Sequence, residues 1–232
     1  DYSRIKFDYD SCESTLDGEY KWMPHNKGGS FIRWYGNRDY LVNWECDGKE
    51  IKEAVVNNPT DPNTTSWSRR IFNWNYFFKP GITWSDVATG KLACRVVPQG
   101  VIFNATGPTF FAEKRSEESY FLAYFNSKVF QSFLDLVCPG LHYNTGAISK
   151  LPVRFCNEVL IGQLVDENVS LVKKYWDARE TSWEFDKNPV VRLFETEKVS
   201  LVELVEKYIR KVCDDRAKLK ENEERLNQIF ID

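Results

Sequence analysis

Short runs of aromatic and β-branched residues, separated by turns, predict mainly strands and loops up to about residue 115. The runs are IKFDY (5–9), DYLVNW (39–44), KLACRVV (91–97) and VIFNATG (101–107). The last run follows the turn Pro98-Gln99-Gly100. The polar stretch NNPTDPNTTS (57–66) has two prolines and no apolar residue, so we expect a surface loop there.

Apolar residues at three- and four-residue steps then predict one helix over residues 116–137. Ser116 is its expected N-cap, and Pro139-Gly140 is expected to end it. We expect the polar triplet Asn126-Ser127-Lys128 to lie on the exposed side of this helix. Its apolar side would then form the central packing surface of the domain.

Helical spacing of apolar residues returns after Phe155. Asn157 is the expected N-cap of the next helix, and a break is expected near residues 186–191. The apolar stripe of this helix comprises Ile161, Leu164, Val165, Leu171, Val172, Tyr175 and Trp176.

The last helix is predicted over residues 201–230 and would be about 45 Å long at 1.5 Å per residue. Ser200 and Glu203 have the spacing of a capping box at its start. Asp215 and Asn222 interrupt its apolar stripe, which predicts an antiparallel helical hairpin with a polar gap.

These elements predict an α+β or α/β fold with a mixed sheet. We expect a domain at residues 1–155, followed by a helical arm at residues 156–232. A chain of 232 residues is long enough to build a substantial core for such an arrangement.

Two segments combine aromatic and basic side chains more densely than a core requires. Residues 20–44 (YKWMPHNKGGSFIRWYGNRDYLVNW) and residues 67–84 (WSRRIFNWNYFFKPGITW) both have this composition. Aromatic rings can stack on bases or sugars, and lysine or arginine can neutralise phosphates or bind guanine. Packed strands with solvated cations are the alternative interpretation, and it stays open.

Several of these segments resemble the C-terminal part of BREX-system adenine-specific DNA methyltransferases of the PglX type, relatives of TaqI-type enzymes. The resembling segments are KWMPHNKGGSFIRWYGN (21–37), VNWECDGKEIK (42–52), YFFKPGITWS (76–85), FLAYFNSKVFQSFL (121–134) and NTGAISKLPV (144–153). The loop before Leu151-Pro152-Val153 also resembles recognition domains of type I specificity subunits.

The resemblance implies a target-recognition domain that binds duplex DNA beside the catalytic domain of the same parent chain. S-adenosylmethionine would be the cofactor of the parent enzyme, and none is expected in this part, because no cofactor turn or (N/D)PP(Y/F) loop occurs. Other defence-system proteins are further expected partners.

Side-chain chemistry within the resembling and aromatic segments suggests specific DNA contacts. Arginine and lysine are suited to phosphates or guanine, whereas amides, hydroxyls and rings are suited to base edges or the grooves. The phosphate or guanine candidates are Lys27, Arg33, Arg69, Arg70 and Lys150, and the base-edge or groove candidates are Trp22, His25, Asn26, Asn144 and Thr145.

Charge and cysteine content restrict the functional class. The net charge of −3 argues against indiscriminate binding of nucleic acids, although residues 67–115 carry seven basic and two acidic side chains. Six scattered cysteines without a CxxC pair predict reduced thiols, not a disulfide framework or a zinc site. The absence of a signal-peptide profile and of a long apolar run predicts a cytoplasmic protein without a membrane partner.

Two other function classes remain open at this point. Tryptophan, tyrosine and asparagine on a β-rich scaffold also build carbohydrate-binding modules, and the sequons at Asn63 and Asn104 fit that class. A protein-interaction scaffold that docks through the helical hairpin is the third possibility. Salt-dependent DNA binding would separate the DNA-recognition hypothesis from both.

Overall fold

A computed structural model describes residues 21–88, 90–138, 140–197 and 199–232, and it confirms an α+β fold. The predicted strand at residues 5–9 lies outside the described residues. The strands are β1 (Trp22–Asn26), β2 (Tyr40–Asn43), β3 (Gly81–Thr83), β4 (Arg95–Val97), β5 (Ile102–Phe103) and β6 (Thr109–Phe110). The helices are α1 (Glu45–Val56), α2 (Arg115–Phe125), α3 (Lys128–Val137), α4 (Thr145–Ile148), α5 (Glu158–Asp177), α6 (Pro189–Thr196) and α7 (Leu201–Ile231).

The strands form two small sheets. In the first sheet, β1 pairs with β2 in antiparallel and with β5 in parallel orientation, which confirms a mixed sheet. In the second sheet, the central strand β3 pairs with β4 and β6, both antiparallel. The predicted strands at residues 39–44, 91–97 and 101–107 thus form, although the last two are short.

Two groups of buried apolar side chains correspond to these layers. The larger group lies between the second sheet and the helices, and includes Trp34, Trp84, Tyr120, Ile161 and Leu226. The smaller group lies on the first sheet and consists of Met23, Trp44, Phe77 and Ile102. Leu226 of α7 and Ile161 of α5 lie in the larger core together with residues of the β-rich part. The domain boundary at residue 155 stays a prediction.

The single helix predicted over residues 116–137 is wrong, because the chain forms α2 and α3 with a break at Asn126-Ser127. Asn126 is buried, and its side-chain amide pairs with the backbone of Cys94 in both directions, at 2.8 and 2.9 Å. Ser127 then caps α3 by accepting a hydrogen bond from Phe130 N. Ser116 lies inside α2 and does not cap it.

The C-terminal hairpin forms as predicted. The α5 and α7 helices run antiparallel, because Asn168 contacts Asn222 while Lys174, further along α5, pairs with Asp215, earlier on α7. The capping box of Ser200 and Glu203 is present. At 31 residues, α7 is about 46 Å long.

The polar gap of the hairpin is a buried amide pair. Asn222 Nδ2 donates to Asn168 Oδ1 at 3.0 Å, and both residues are buried.

Asn157 was expected to cap α5, but it has a φ of 44° and its side chain caps nothing. Helix α6 was not predicted; it begins at Pro189, and Asn188 caps it.

Replacing Asn126 with alanine tests the helix break. Asn126→Ala should lower the free energy of unfolding by about 3 kcal/mol, because both backbone groups of Cys94 lose a buried partner. Ser132→Ala, at an exposed hydroxyl on α3, should change it by less than about 0.5 kcal/mol. Equal effects in chemical denaturation would contradict the assigned role of Asn126.

Candidate functional site

An open pocket of about 710 Å³ lies beside the first sheet. It is formed by residues from β1, the segment 67–79, the turn at residues 104–107 and the start of α4. We call it the aromatic pocket, and its lining includes His25, Arg70, Phe72, Asp86, Asn104 and Asn144.

The floor of the aromatic pocket is a set of aromatic rings packed edge to face. Phe77 makes such contacts with Trp44 and with Phe103, at centroid distances of 5.3 and 5.2 Å. All three rings line the pocket. They form a fixed apolar surface that extends from the smaller core.

One wall is the segment 67–79, which contains no acidic residue. Arg70 anchors it, since its Nε donates to Asp61 Oδ2 at 3.1 Å. Hydrogen bonding from the Arg70 side chain, which also donates through Nη2, is the main cause that lowers the pKa of the Asp61 carboxyl. At the next turn, Asn73 has a φ of 55°, in the left-handed region, and the flanking side chains of Phe72 and Trp74 are exposed.

The turn at residues 104–107 forms the opposite rim and holds the loop Lys27-Gly28-Gly29. Asn104 Oδ1 accepts hydrogen bonds from the backbone of Thr106 and Gly107, and Thr106 Oγ1 donates to Lys27 O at 2.9 Å. A Cβ on Gly28 would lie 2.6 Å from Thr106 O, and the φ of Gly28 is 83°. Only glycine therefore allows the loop to approach this turn so closely.

The third side is built around Asp86. Its backbone oxygen accepts from Tyr143 N at 2.7 Å, and its carboxylate contacts His142 Nδ1 at 3.1 Å. These contacts position Asn144, whose side chain caps α4 by accepting from Ala147 N at 2.9 Å. Asp86 thereby links β3 to the α4 loop.

The fold brings four of the ten sequence-predicted residues to the aromatic pocket. They are His25, Arg70, Asn144 and Thr145, which come from three distant segments of the chain. Lys27 is exposed next to this rim, and its Nζ lies 4.9 Å from the centroid of the Tyr40 ring.

The other predicted residues have different surroundings. Asn26 is buried, and its amide donates to Thr83 Oγ1 at 2.6 Å and to Gly107 O at 3.1 Å. Arg33 pairs with Glu223 of α7 at 3.4 Å. The three remaining residues, Trp22, Arg69 and Lys150, are exposed and do not line the pocket.

The excess of basic residues in the segment 67–115 overstates the surface charge. Arg95 is only 1% exposed and lies in β4, so it contributes no charged surface. Burial lowers the pKa of Arg95 to about 10. Arg70 and Lys114 are paired with Asp61 and Glu117.

Sequence reasoning did not select Asp86, Asn104 or Phe72 as site residues. The turn that Asn104 organises was visible as Asn-Ala-Thr-Gly, but this motif also reads as a glycosylation sequon. Phe72 belonged to an aromatic run whose members could not be divided into core and surface. The structure distinguishes the two kinds of residue, because Phe77 is buried and Phe72 is exposed.

Disulfide bonds, metal sites and membrane-spanning helices are the features in the described part of the chain that would indicate other classes of protein. Cys46, Cys94, Cys138, Cys156 and Cys213 are free thiols there. Within the same residues, no cluster of three or more histidine, cysteine or acidic side chains has the arrangement of a metal site. None of the described helices is both long and apolar enough to cross a membrane.

Asn26→Ala should lower the free energy of unfolding by about 2 kcal/mol, because Thr83 and Gly107 each lose a buried hydrogen bond. Thr145→Ala, at an exposed position of the same pocket, should have an effect below about 0.5 kcal/mol. Chemical denaturation of both variants measures this. An unchanged stability of Asn26→Ala would show that its amide does not hold the sheets together.

The protonation of His25 should affect stability below neutral pH. Burial, assisted by Lys27, lowers the pKa of His25 from its ordinary value of 6.5. As the pH falls below 6.5, the unfolded chain therefore binds the proton first, and the folded state loses stability. The free energy of unfolding should fall less steeply in His25→Gln than in the original chain between about pH 6.5 and pH 5, and equal slopes would contradict the assignment.

Comparisons with known proteins give two similar sequences, whereas no protein-family model matches the chain. The chain is 31% identical over 230 residues to the adenine-specific methyltransferase PglX of Lacticaseibacillus casei (strain Zhang), which covers 98% of this chain and 19% of that protein. It is 34% identical over 183 residues to the adenine-specific methyltransferase BrxX of Escherichia coli O9:H4 (strain HS), which covers 78% of this chain and 14% of that protein. The chain thus spans less than a fifth of the length of either relative. It is homologous to a segment of the PglX and BrxX adenine-specific methyltransferases.

Proposed function

We propose that this chain is the DNA-recognition part of an N6-adenine-specific DNA methyltransferase in a BREX-type phage-defence system. It binds duplex DNA across the face that carries the aromatic pocket. The observation that carries the proposal is the convergence of His25, Arg70 and Asn144–Thr145, from three separate segments, around one pocket. The homology to adenine-specific methyltransferases supports it.

The residues divide into two roles on this face. Lys27, Arg69 and Lys150 are exposed cations that contact phosphates, which provides affinity without sequence information. His25, Asn144 and Thr145 offer hydrogen-bonding groups to base edges, which provides specificity. Arg33 and Arg70 are already paired with Glu223 and Asp61, so neither is assigned a phosphate contact.

The parent enzyme supplies the remaining chemistry. A catalytic domain elsewhere in the same protein binds S-adenosylmethionine and transfers its methyl group to the adenine that this part locates. With a net charge of −3 in this chain, much of the phosphate affinity comes from that larger partner. Such an enzyme works on DNA in the cytoplasm.

Protein interaction is a second candidate function, favoured by one observation. Apolar side chains on α6 and on the first turns of α7 are exposed, including Phe194 (59%), Leu201 (59%) and Val202 (67%). This surface is distinct from the aromatic pocket, so both functions can coexist in one chain. Val202→Ser and Phe194→Ser would weaken association with other proteins and leave DNA affinity unchanged.

Selection from random duplexes tests DNA recognition. The complete protein that carries this chain is mixed with a pool of random duplexes at low and at moderate salt, and the retained DNA is sequenced. The proposal predicts enrichment of one short motif and binding that weakens with salt. Binding without enrichment, or no binding at low salt, would contradict it.

Single substitutions then assign the two roles. Lys27→Ala and Arg69→Ala should each weaken binding to all sequences by a similar factor and reduce the slope of log affinity against log salt by about 1. Thr145→Val, which removes a hydroxyl at nearly constant volume, should change the selected motif instead.

Lys220→Ala is the matched control for these variants. Lys220 is an exposed lysine on α7, distant in sequence from the pocket residues, and its loose contact with Glu224 spans 3.8 Å. It should leave both affinity and motif unchanged. An effect of Lys220→Ala equal to that of Lys27→Ala would show nonspecific charge dependence instead of a defined interface.

A further inference from the structure

Phe72 is an aromatic residue that the packing of the protein does not explain. Its side chain lines the aromatic pocket, yet 63% of its surface is exposed, whereas Phe77 in the floor is only 7% exposed. A phenylalanine in this position forgoes the free energy that burial would provide. Trp74 and Tyr76 in the same segment are also exposed, at 54% and 40%, so the segment presents several aromatic side chains beside the pocket and not one alone.

The backbone around Phe72 is held in place on both sides. Arg70 is bonded to Asp61, and Phe78 N donates to Val101 O at 3.0 Å. Trp74 packs edge to face on Trp67 with a centroid distance of 5.7 Å. The ring of Phe72 is therefore presented from an anchored segment, as a pre-formed binding group requires.

The surroundings select the chemical class of the occupant. The pocket floor consists of aromatic and aliphatic side chains, whereas Asp86, Asn104 and Asn144 provide carboxylate and amide groups at its edge. A ligand with a flat apolar face and a polar edge matches this division. The neighbouring segment 67–79 contains no acidic residue. Arg70 is paired with Asp61, but Arg69 and Lys79 are exposed cations, which favours a ligand attached to a polyanion.

We propose that the aromatic pocket accepts one nucleobase unstacked from the DNA, with the ring of Phe72 stacked on its face and Asp86 or Asn144 at its edge. This inference rests on the proposed DNA recognition and adds a specific mode to it. An aromatic side chain stacks on any base. Stacking on Phe72 would therefore increase the affinity for distorted DNA whatever its sequence, in addition to the sequence-specific contacts at the base edge. A carboxylate at the edge favours bases that carry an exocyclic amino group.

Two otherwise identical duplexes of about 25 base pairs test the pocket, one fully matched and one with a single unpaired adenine. An unpaired base costs less to unstack, so the complete protein should bind the second duplex about tenfold more tightly. Phe72→Ala should abolish this preference and weaken binding of the matched duplex by a smaller factor, because the cost of unpairing a matched base offsets much of the stacking free energy. Phe72→Trp, which keeps a stacking surface, should retain the preference.

Phe194→Ala is the matched control, because Phe194 is 59% exposed on α6 and does not line the pocket. It should retain the full preference. Equal affinity of the original protein for the two duplexes, or a preference that survives Phe72→Ala, would overturn the inference and leave the proposed DNA recognition intact. Failure to bind either duplex would overturn both.

A melting experiment separates DNA contact from internal docking. If Phe72→Ala lowers the melting temperature of the complete protein while the preference for the unpaired adenine persists, Phe72 packs against another part of the protein and the inference fails. Since Phe72 is exposed, the expected melting temperature of Phe72→Ala is unchanged.

Discussion

The buried side-chain amide of Asn26 joins the two sheets, and the geometry of the candidate site depends on it. Its donation to Thr83 ties β1 to β3, and its donation to Gly107 ties β1 to the turn on the pocket rim. A Cβ on Gly107 would lie 2.8 Å from Asn26 Nδ2, so glycine is needed where the turn meets the amide. Asn26, Gly28 and Gly107 thus form one packing unit built from distant parts of the sequence.

This constraint also explains why neighbouring residues of β1 have opposite roles. Side chains alternate across a strand, so Met23 and His25 lie on the side of the smaller core and the pocket, whereas Asn26 lies towards the second sheet. His25 is available to the aromatic pocket because Asn26 holds the strand in place. Asn26 was predicted to contact a base, but its side-chain amide is bonded within the protein and holds the strand that places His25 at the pocket.

The sequence predicted those elements that depend on local chemistry. The capping box at Ser200 and Glu203 and the antiparallel pairing of α5 with α7 follow from residues close together or from regular spacing. The break at Asn126 was not predictable in this way, because its cause is a pair of hydrogen bonds to Cys94, far away in the sequence. The burial of Arg95 and the pairing of Arg33 with Glu223 likewise depend on tertiary contacts that composition does not reveal.

The same distinction applies to the candidate site. Aromatic and basic segments indicated a binding surface, and four of the chosen residues line one pocket. Asp86 and Asn104 were not selected, because neither an isolated acidic residue nor a sequon shows in the sequence which residues lie next to it in the fold. The site is a property of three loops held together by β1, β3 and the turn at residues 104–107, and its residues are identifiable only once these loops meet.

Hydrogen exchange of the complete protein with and without its selected duplex tests the central claim most directly, because it maps the DNA-binding face without any substitution. The account predicts that DNA slows exchange in residues 25–29, 67–79, 104–107 and 142–146 together, and leaves α6 and the first turns of α7 unchanged. Protection confined to α6 and α7, with no change around the aromatic pocket, would contradict it.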